Sequence, residues 1–152
     1  MSVQYINPFL ESASNILQQM CNVEITRGEL SIKEVSFKEN HVWIRIGLTG
    51  EVQGNVMFGL SHDVALKIVS AMMGGFPIQE MDEMGKSAIA ELGNMISGNA
   101  SSILYTQGIT IDITPPQLLE GQELPALTGE ALTVPLEISD LGKLDIQVIV
   151  AK

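Results

Sequence analysis

Cysteine is nearly absent from this chain: Cys21 is the single one among 152 residues, so no intrachain disulfide can form. It lies among Ile16, Leu17, Met20 and Val23, which marks a half-buried structural thiol rather than a reactive one. Histidine is almost as scarce. His41 and His62 stand far apart in sequence, and with one cysteine they give no zinc-site spacing. Basic residues are few: eight Lys and Arg against eighteen Asp and Glu, for a formal charge of −10. The eight are scattered, whereas nucleic-acid binders concentrate positive charge and anionic membrane surfaces attract it; neither partner is expected. No apolar run approaches the roughly 18 residues of a membrane span. Met1 to Leu10 lacks the basic start and apolar stretch of a signal peptide, so a cytoplasmic location is expected. The chain has no G-x-x-x-x-G-K-[ST] phosphate loop and no nucleophile elbow, which argues against an ATPase and an α/β-hydrolase.

What is present suits a folded domain: 45% hydrophobic and 17% charged residues are enough to build a core. The acidic surface suits a protein partner with basic residues around its own site. Asn7-Pro8 opens a first helix, with Phe9, Ala13, Ile16, Leu17 and Met20 at helical spacing and an end near Met20 to Asn22. Gly28 marks a turn. Leu30 to Phe37, Val42 to Leu48 and Val52 to Leu60 read as strands, the last bent at Gly54, with Thr49-Gly50 as a turn. Ser61 is an N-cap candidate for a helix that Gly74-Gly75 stops. A long helix follows to about Thr106. Gly108 to Ile113 forms a short strand ended by Pro115-Pro116, and residues 117–129 form a loop. Ala131 to Ile138 and Leu144 to Val150 make a terminal hairpin. Strands mostly follow strands, so the expected fold class is α+β: a single domain over residues 1–152, mostly antiparallel sheet, with long helices packed on one side.

The segment Ser87-Ala88-Ile89-Ala90-Glu91-Leu92-Gly93-Asn94 carries the chemistry. Positions three and four apart share a helix face, so Ser87, Glu91, Asn94 and Gly98 project together. Ile89, Leu92, Ile96, Ala100 and Ile103 form the opposite, core-facing stripe. A polar helix face can be ordinary solvated surface. Three features point to a contact surface instead: Asn94 is mid-helix despite the poor helix propensity of Asn, Asn99 repeats this five residues later, and two glycines are mid-helix as well. Gly93 and Gly98 each cost roughly 1 kcal/mol against Ala. Glycine at such positions is expected to let another backbone or side chain come close.

Other groupings have plainer readings. Ser61-His62-Asp63 holds the letters of a catalytic triad, but triad residues converge in space rather than in sequence, and a helix cap explains them. His41, at the start of a strand, is expected to be an exposed edge residue. Glu80, Asp82 and Glu83 follow no calcium-loop pattern and suit the positive end of a helix dipole. Met72, Met73, Met81 and Met84 fit either a core or an adaptable interface.

The pattern Ser87-x-x-x-Glu91-x-x-Asn94, followed by Pro115 or Pro116, resembles the signature of the CheC/CheX/FliY phosphatase family of bacterial chemotaxis. Within it, Glu91-Leu-Gly-Asn-Met-Ile-Ser-Gly-Asn-Ala100 and the Asn7-Pro-Phe-Leu10 helix are most similar to CheX-type members. CheC-type members carry Glu-x-x-Asn twice; here the first helix has Glu11-Ser-Ala-Ser-Asn15, a spacing of four, so one active surface is expected. The signature proline usually falls slightly further on. The resemblance implies a protein phosphatase that removes the aspartyl phosphate of a CheY-type response regulator. Glu91 and Asn94 would be catalytic: Asn94 would orient the attacking water and Glu91 would pair with the regulator's lysine. Ser87, Gly98 and Ser101 would contact the partner. No cofactor would be tightly bound, and Mg²⁺ would be supplied in the response-regulator site. A homodimer is also implied, for which edge strands in the terminal hairpin offer sheet extension. Two rivals remain at this stage. One is a non-catalytic binding module for a response regulator or flagellar switch. The other is a structural dimer domain, in which buried Glu91 needs a basic mate.

Overall fold

A computed structural model describes residues 3–38, 40–120 and 127–150. A 3₁₀ turn at Val3–Tyr5 leads into helix α1 (Asn7–Cys21), which ends in a left-handed Asn22. Then come strands β1 (Ile25–Arg27), β2 (Ser31–Glu34), β3 (His41–Gly50) and β4 (Gly54–Ser61), followed by helices α2 (His62–Met72) and α3 (Glu83–Thr106). The chain closes with β5 (Ile111–Ile113), β6 (Gln117–Glu120), β7 (Glu130–Ile138) and β8 (Gly142–Val150). All eight strands join one antiparallel sheet in the order β1-β7-β8-β4-β3-β5, with β2 also on β7 and β6 also on β3.

Alternation within the strands divides the sheet into two faces. Ile44, Ile46 and Leu48 of β3, Val56, Phe58 and Leu60 of β4, and the matching residues of β7 and β8 share the main core with all three helices. On the back face, Trp43, Met57, Ala131 and Ile149 form a second cluster under Val35, Phe37 and Leu127. Phe37 meets Trp43 edge to face at 5.1 Å, and the Trp43 indole N–H donates to the Lys38 carbonyl at 3.2 Å. The fold is therefore α+β with helices on one side, as the strand order requires.

Several expectations need correction. The terminal hairpin is not at an edge: β7 lies between β8 and the pair β1/β2, and β8 lies between β7 and β4. The edges are the short strands β1, β2, β5 and β6. β1 is a strand that the sequence did not announce, and β6 falls inside the stretch read as the loop 117–129; residues 121–126 of that stretch lie outside the described ones. Both strands are three or four residues long and owe their conformation to pairing with long neighbours. His41 is half-buried on a strand paired on both sides rather than exposed at an edge. Gly54 opens β4 instead of bending it. Ser61 caps α2 as expected, its hydroxyl accepting from the Val64 N–H at 3.2 Å, while His62 and Asp63 are exposed.

Candidate functional site

Helix α3 starts where Asp82 accepts from the Gly85 N–H at 2.8 Å, a side-chain cap for donors that the helix leaves unpaired. Over its 24 residues it buries Ile89, Leu92, Gly93, Ile96, Ser97, Ala100 and Leu104. The stripe read from the sequence is thus in place, except that Leu104 takes the inner position expected of Ile103, which is half-buried.

Gly93 has a different role from the one its mid-helix position implied. It faces inward, and a Cβ there would meet the Ile44 Cγ2 at 2.7 Å. The close approach is to this chain's own strand β3, not to a partner. Seating α3 this low on β3 fixes the height at which the next residue, Asn94, leaves the helix. Gly98 has open space beside it: a Cβ there would meet nothing within 4 Å.

Ser87 and Glu91 are exposed, and Asn94, Gly98 and Ser101 are half-buried, all along one outward line of α3. Glu91 and Asn94 stand at the i, i+3 spacing, which puts their Cβ atoms about 5–6 Å apart. Among the described residues, the ion pairs are Lys38–Asp145 at 3.4 Å and Lys143–Glu137 at 4.0 Å. Neither touches α3, so among the described residues no cation pairs with the outward-facing Glu91 carboxylate. Ser101 sits at the margin: its hydroxyl donates to the Ile111 carbonyl at 3.3 Å and ties α3 to β5. The chemistry available is therefore that of one carboxylate and one carboxamide on a rigid rod. The carboxamide both accepts and donates hydrogen bonds, and the carboxylate only accepts.

Other singled-out residues do not converge here. Among the described residues, no three His, Cys, Asp or Glu side chains could hold a metal ion, and no helix is long and apolar enough to cross a membrane. Met72, Met73 and Met81 pack against the core while Met84 is exposed at the start of α3. Pro115 and Pro116 line a groove with Arg45 and Asn55, where Arg45 Nε donates to the Asn55 side-chain oxygen at 2.9 Å. On α1, Glu11 and Asn15 are both exposed at their spacing of four. Burial pushes the Cys21 thiol up, in keeping with a structural role. Sequence reading missed the groove that β6 forms beside α3, lined by Glu83, Lys86, Ser87, Ala90, Leu118 and Glu120. Its helix side was legible, since positions 83, 86, 87 and 90 share a face, but its other wall is the strand that was read as loop.

The architecture is an antiparallel sheet backed by three helices, with a carboxylate and a carboxamide three residues apart on the outer face of the longest one. The family model for chemotaxis phosphatase CheX matches residues 42–137. The chain is 33% identical over 140 residues to the CheY-P phosphatase CheX of Thermotoga maritima, covering 91% of this chain and 90% of that one. Its structure superposes on a CheC-like protein from a Shewanella species with a TM-score of 0.85, at 26% identity, over the full length of both chains. It also matches the CheX-CheY-BeF₃-Mg²⁺ complex of Borrelia burgdorferi with a TM-score of 0.83, at 30% identity, covering 99% of this chain and 100% of that one. The chain belongs to the chemotaxis phosphatase CheX family.

Proposed function

We propose that this protein hydrolyses the aspartyl phosphate of a CheY-type response regulator, in chemotaxis or a related two-component pathway. The observation that carries this reading is the outward line of Ser87, Glu91, Asn94 and Gly98 on a helix seated on β3 by Gly93. An aspartyl phosphate is a reactive acyl phosphate, and its transfer needs positioning and charge stabilisation more than covalent help. Asn94 enters the regulator's site and orients a water toward phosphorus. Water attacks, the bond between phosphorus and the carboxyl oxygen breaks, and the regulator's carboxylate and inorganic phosphate are released. Glu91 pairs with the regulator's lysine, a charge-assisted bond worth roughly 1.5–3 kcal/mol that fixes the docking register. Ser87, Gly98 and Ser101 flank the contact. The Mg²⁺ belongs to the regulator, and this chain needs no tightly bound cofactor. The relative from Borrelia, crystallised with CheY, BeF₃ and Mg²⁺, supports this arrangement.

Acting on response regulators, the protein works in the cytoplasm. We also infer a homodimer. The edge strand β2 and the turn before it leave Ile32 and Leu30 exposed, and unpaired edges with apolar side chains favour sheet extension by a second copy.

The test is phosphate release from phosphorylated CheY-type receivers in the presence of Mg²⁺. Accelerated release supports the phosphatase. Binding without acceleration, in a folded sample, supports the non-catalytic module instead.

A further inference from the structure

The groove that Pro115 and Pro116 share with Arg45 and Asn55 is used by no step of the phosphatase reading. Arg45 alternates along β3 with Ile44 and Ile46, which face the helices, so its side chain stands on the back of the sheet, the side away from α3. The groove encloses about 460 Å³, inside the roughly 300–1,000 Å³ spanned by ligand pockets. Arg45 is the one charged side chain in its lining, in a chain with eighteen Asp and Glu against eight Lys and Arg. The half-buried guanidinium enters no ion pair among the described residues. Arg45 Nε donates to Asn55 Oδ1 at 2.9 Å. Arginine can only donate, so Oδ1 is the Asn55 atom that faces it, and Nδ2 remains as a donor. The same bond fixes the guanidinium plane and leaves the Nη1/Nη2 fork without a partner among the described residues. On the other flank, Gln117 of β6 is the register partner of Arg45, which sets its carboxamide on the same face with Cβ atoms about 4.5–5.5 Å apart.

We propose that this groove binds a phosphoryl oxyanion, inorganic phosphate or a small phosphate monoester, on Arg45 flanked by the Asn55 and Gln117 carboxamides. The unpaired cation selects an anion, and partial burial strengthens the attraction by lowering the local screening. The guanidinium fork matches two oxygens of a carboxylate or of a phosphate. A carboxylate has no further oxygen, whereas a phosphoryl group brings at least one more for the amide donors on either side, and close to twice the charge. Pro115 and Pro116 have no backbone N–H and offer apolar ring surface in the same groove, against which the organic part of a monoester rests. The site stands across the sheet from Glu91 and Asn94, so it goes beyond the catalytic reading and does not depend on it.

The experiment follows Tm with rising concentrations of inorganic phosphate, phenyl phosphate or benzoate at constant ionic strength. It uses wild type, Arg45→Gln, Arg45→Lys and Asn55→Asp, each set against its own melt in chloride. A ligand that binds only the folded chain raises Tm by mass action. Both phosphates raise the wild-type Tm, and benzoate needs about ten-fold higher concentration for the same rise, because it lacks the third oxygen. Phenyl phosphate acting at lower concentration than inorganic phosphate identifies a monoester as the occupant; equal action identifies free phosphate. Arg45→Gln abolishes the rise. Arg45→Lys keeps the charge but loses the fork, and weakens binding about ten-fold. Asn55→Asp sets a carboxylate on Arg45, supplies the missing counter-charge and abolishes the rise as well. It preserves side-chain size, so it decides the matter alone if Arg45→Gln does not fold. No rise with either phosphate, a wild-type rise in Arg45→Gln or Asn55→Asp, or benzoate acting as strongly as phenyl phosphate overturns the assignment and leaves the phosphatase standing.

Discussion

A carboxamide can orient water because it accepts through Oδ1 and donates through Nδ2, and it does so without a titration near neutrality. In the proposed function Asn94 acts in the chemical step and Glu91 in the encounter. Asn94→Ala is expected to lower kcat on the order of 10²-fold, the scale seen when one transition-state donor is lost, with KM little changed. Glu91→Lys is expected to raise KM as well, because it sets two cations against each other. That Glu91 and Asn94 share a helix face was legible because spacing alone puts them there; their roles are what the family resemblance implies. The role of Gly93 was not legible, since nothing in the sequence says which strand passes beneath it. Ile44 is β-branched and stiff at χ1, so its Cγ2 cannot move aside from a new methyl at 2.7 Å. Gly93→Ala should therefore lose about 1–3 kcal/mol to overpacking, despite the gain in helix propensity. Gly98→Ala, with open space around it, should gain roughly 1 kcal/mol, a rise of about 2–4 °C in Tm for a chain of this size. Thermal melts of the two variants check both signs. His41 offers a pH signature. Burial chiefly, then Lys38, holds its imidazole below the ordinary value, with Asp145 opposing. The unfolded chain then binds the proton more readily than the folded one, so stability present above about pH 6.5 is lost as pH falls through that value. Urea midpoints at successive pH values should show the loss, and His41→Gln should reduce it.

Among the elements, the helices were legible nearly to the residue because their ends carry local chemistry. Ser61 and Asp82 each accept from a backbone N–H in the first turn, and Gly74 and Gly75 take positive φ after α2. Asp82→Ala should cost about 1 kcal/mol, visible as a lower Tm. The long strands were legible from alternation. The short ones were not. Ile25–Arg27 and Gln117–Glu120 contain too few residues for a period of two to show, and their conformation is imposed by β7 and β3. Val35 and Phe37, read as strand residues, leave the ladder after Glu34 and cover the Trp43 cluster instead. That packing is a tertiary contact, which alternation along the strand does not announce.

At the scale of the molecule, the order of strands escaped the sequence because hairpin neighbours fix only nearest pairs. The closing hairpin β7–β8 inserts between β4 and the short strands β1 and β2, so the last segment of the chain completes the middle of the sheet. Among the edge strands, β2 leaves Ile32 exposed, and Ile32→Lys is expected to dissociate the proposed dimer. Light scattering during size exclusion reads that directly.

The central claim is that the helix face catalyses and does not only bind. It is tested most directly by phosphate release from a phosphorylated CheY-type receiver at saturating concentration, wild type beside Asn94→Ala. Rapid release by wild type, slowed on the order of 10²-fold in the variant with docking retained, is the expected result. Equal rates for the two proteins would contradict it.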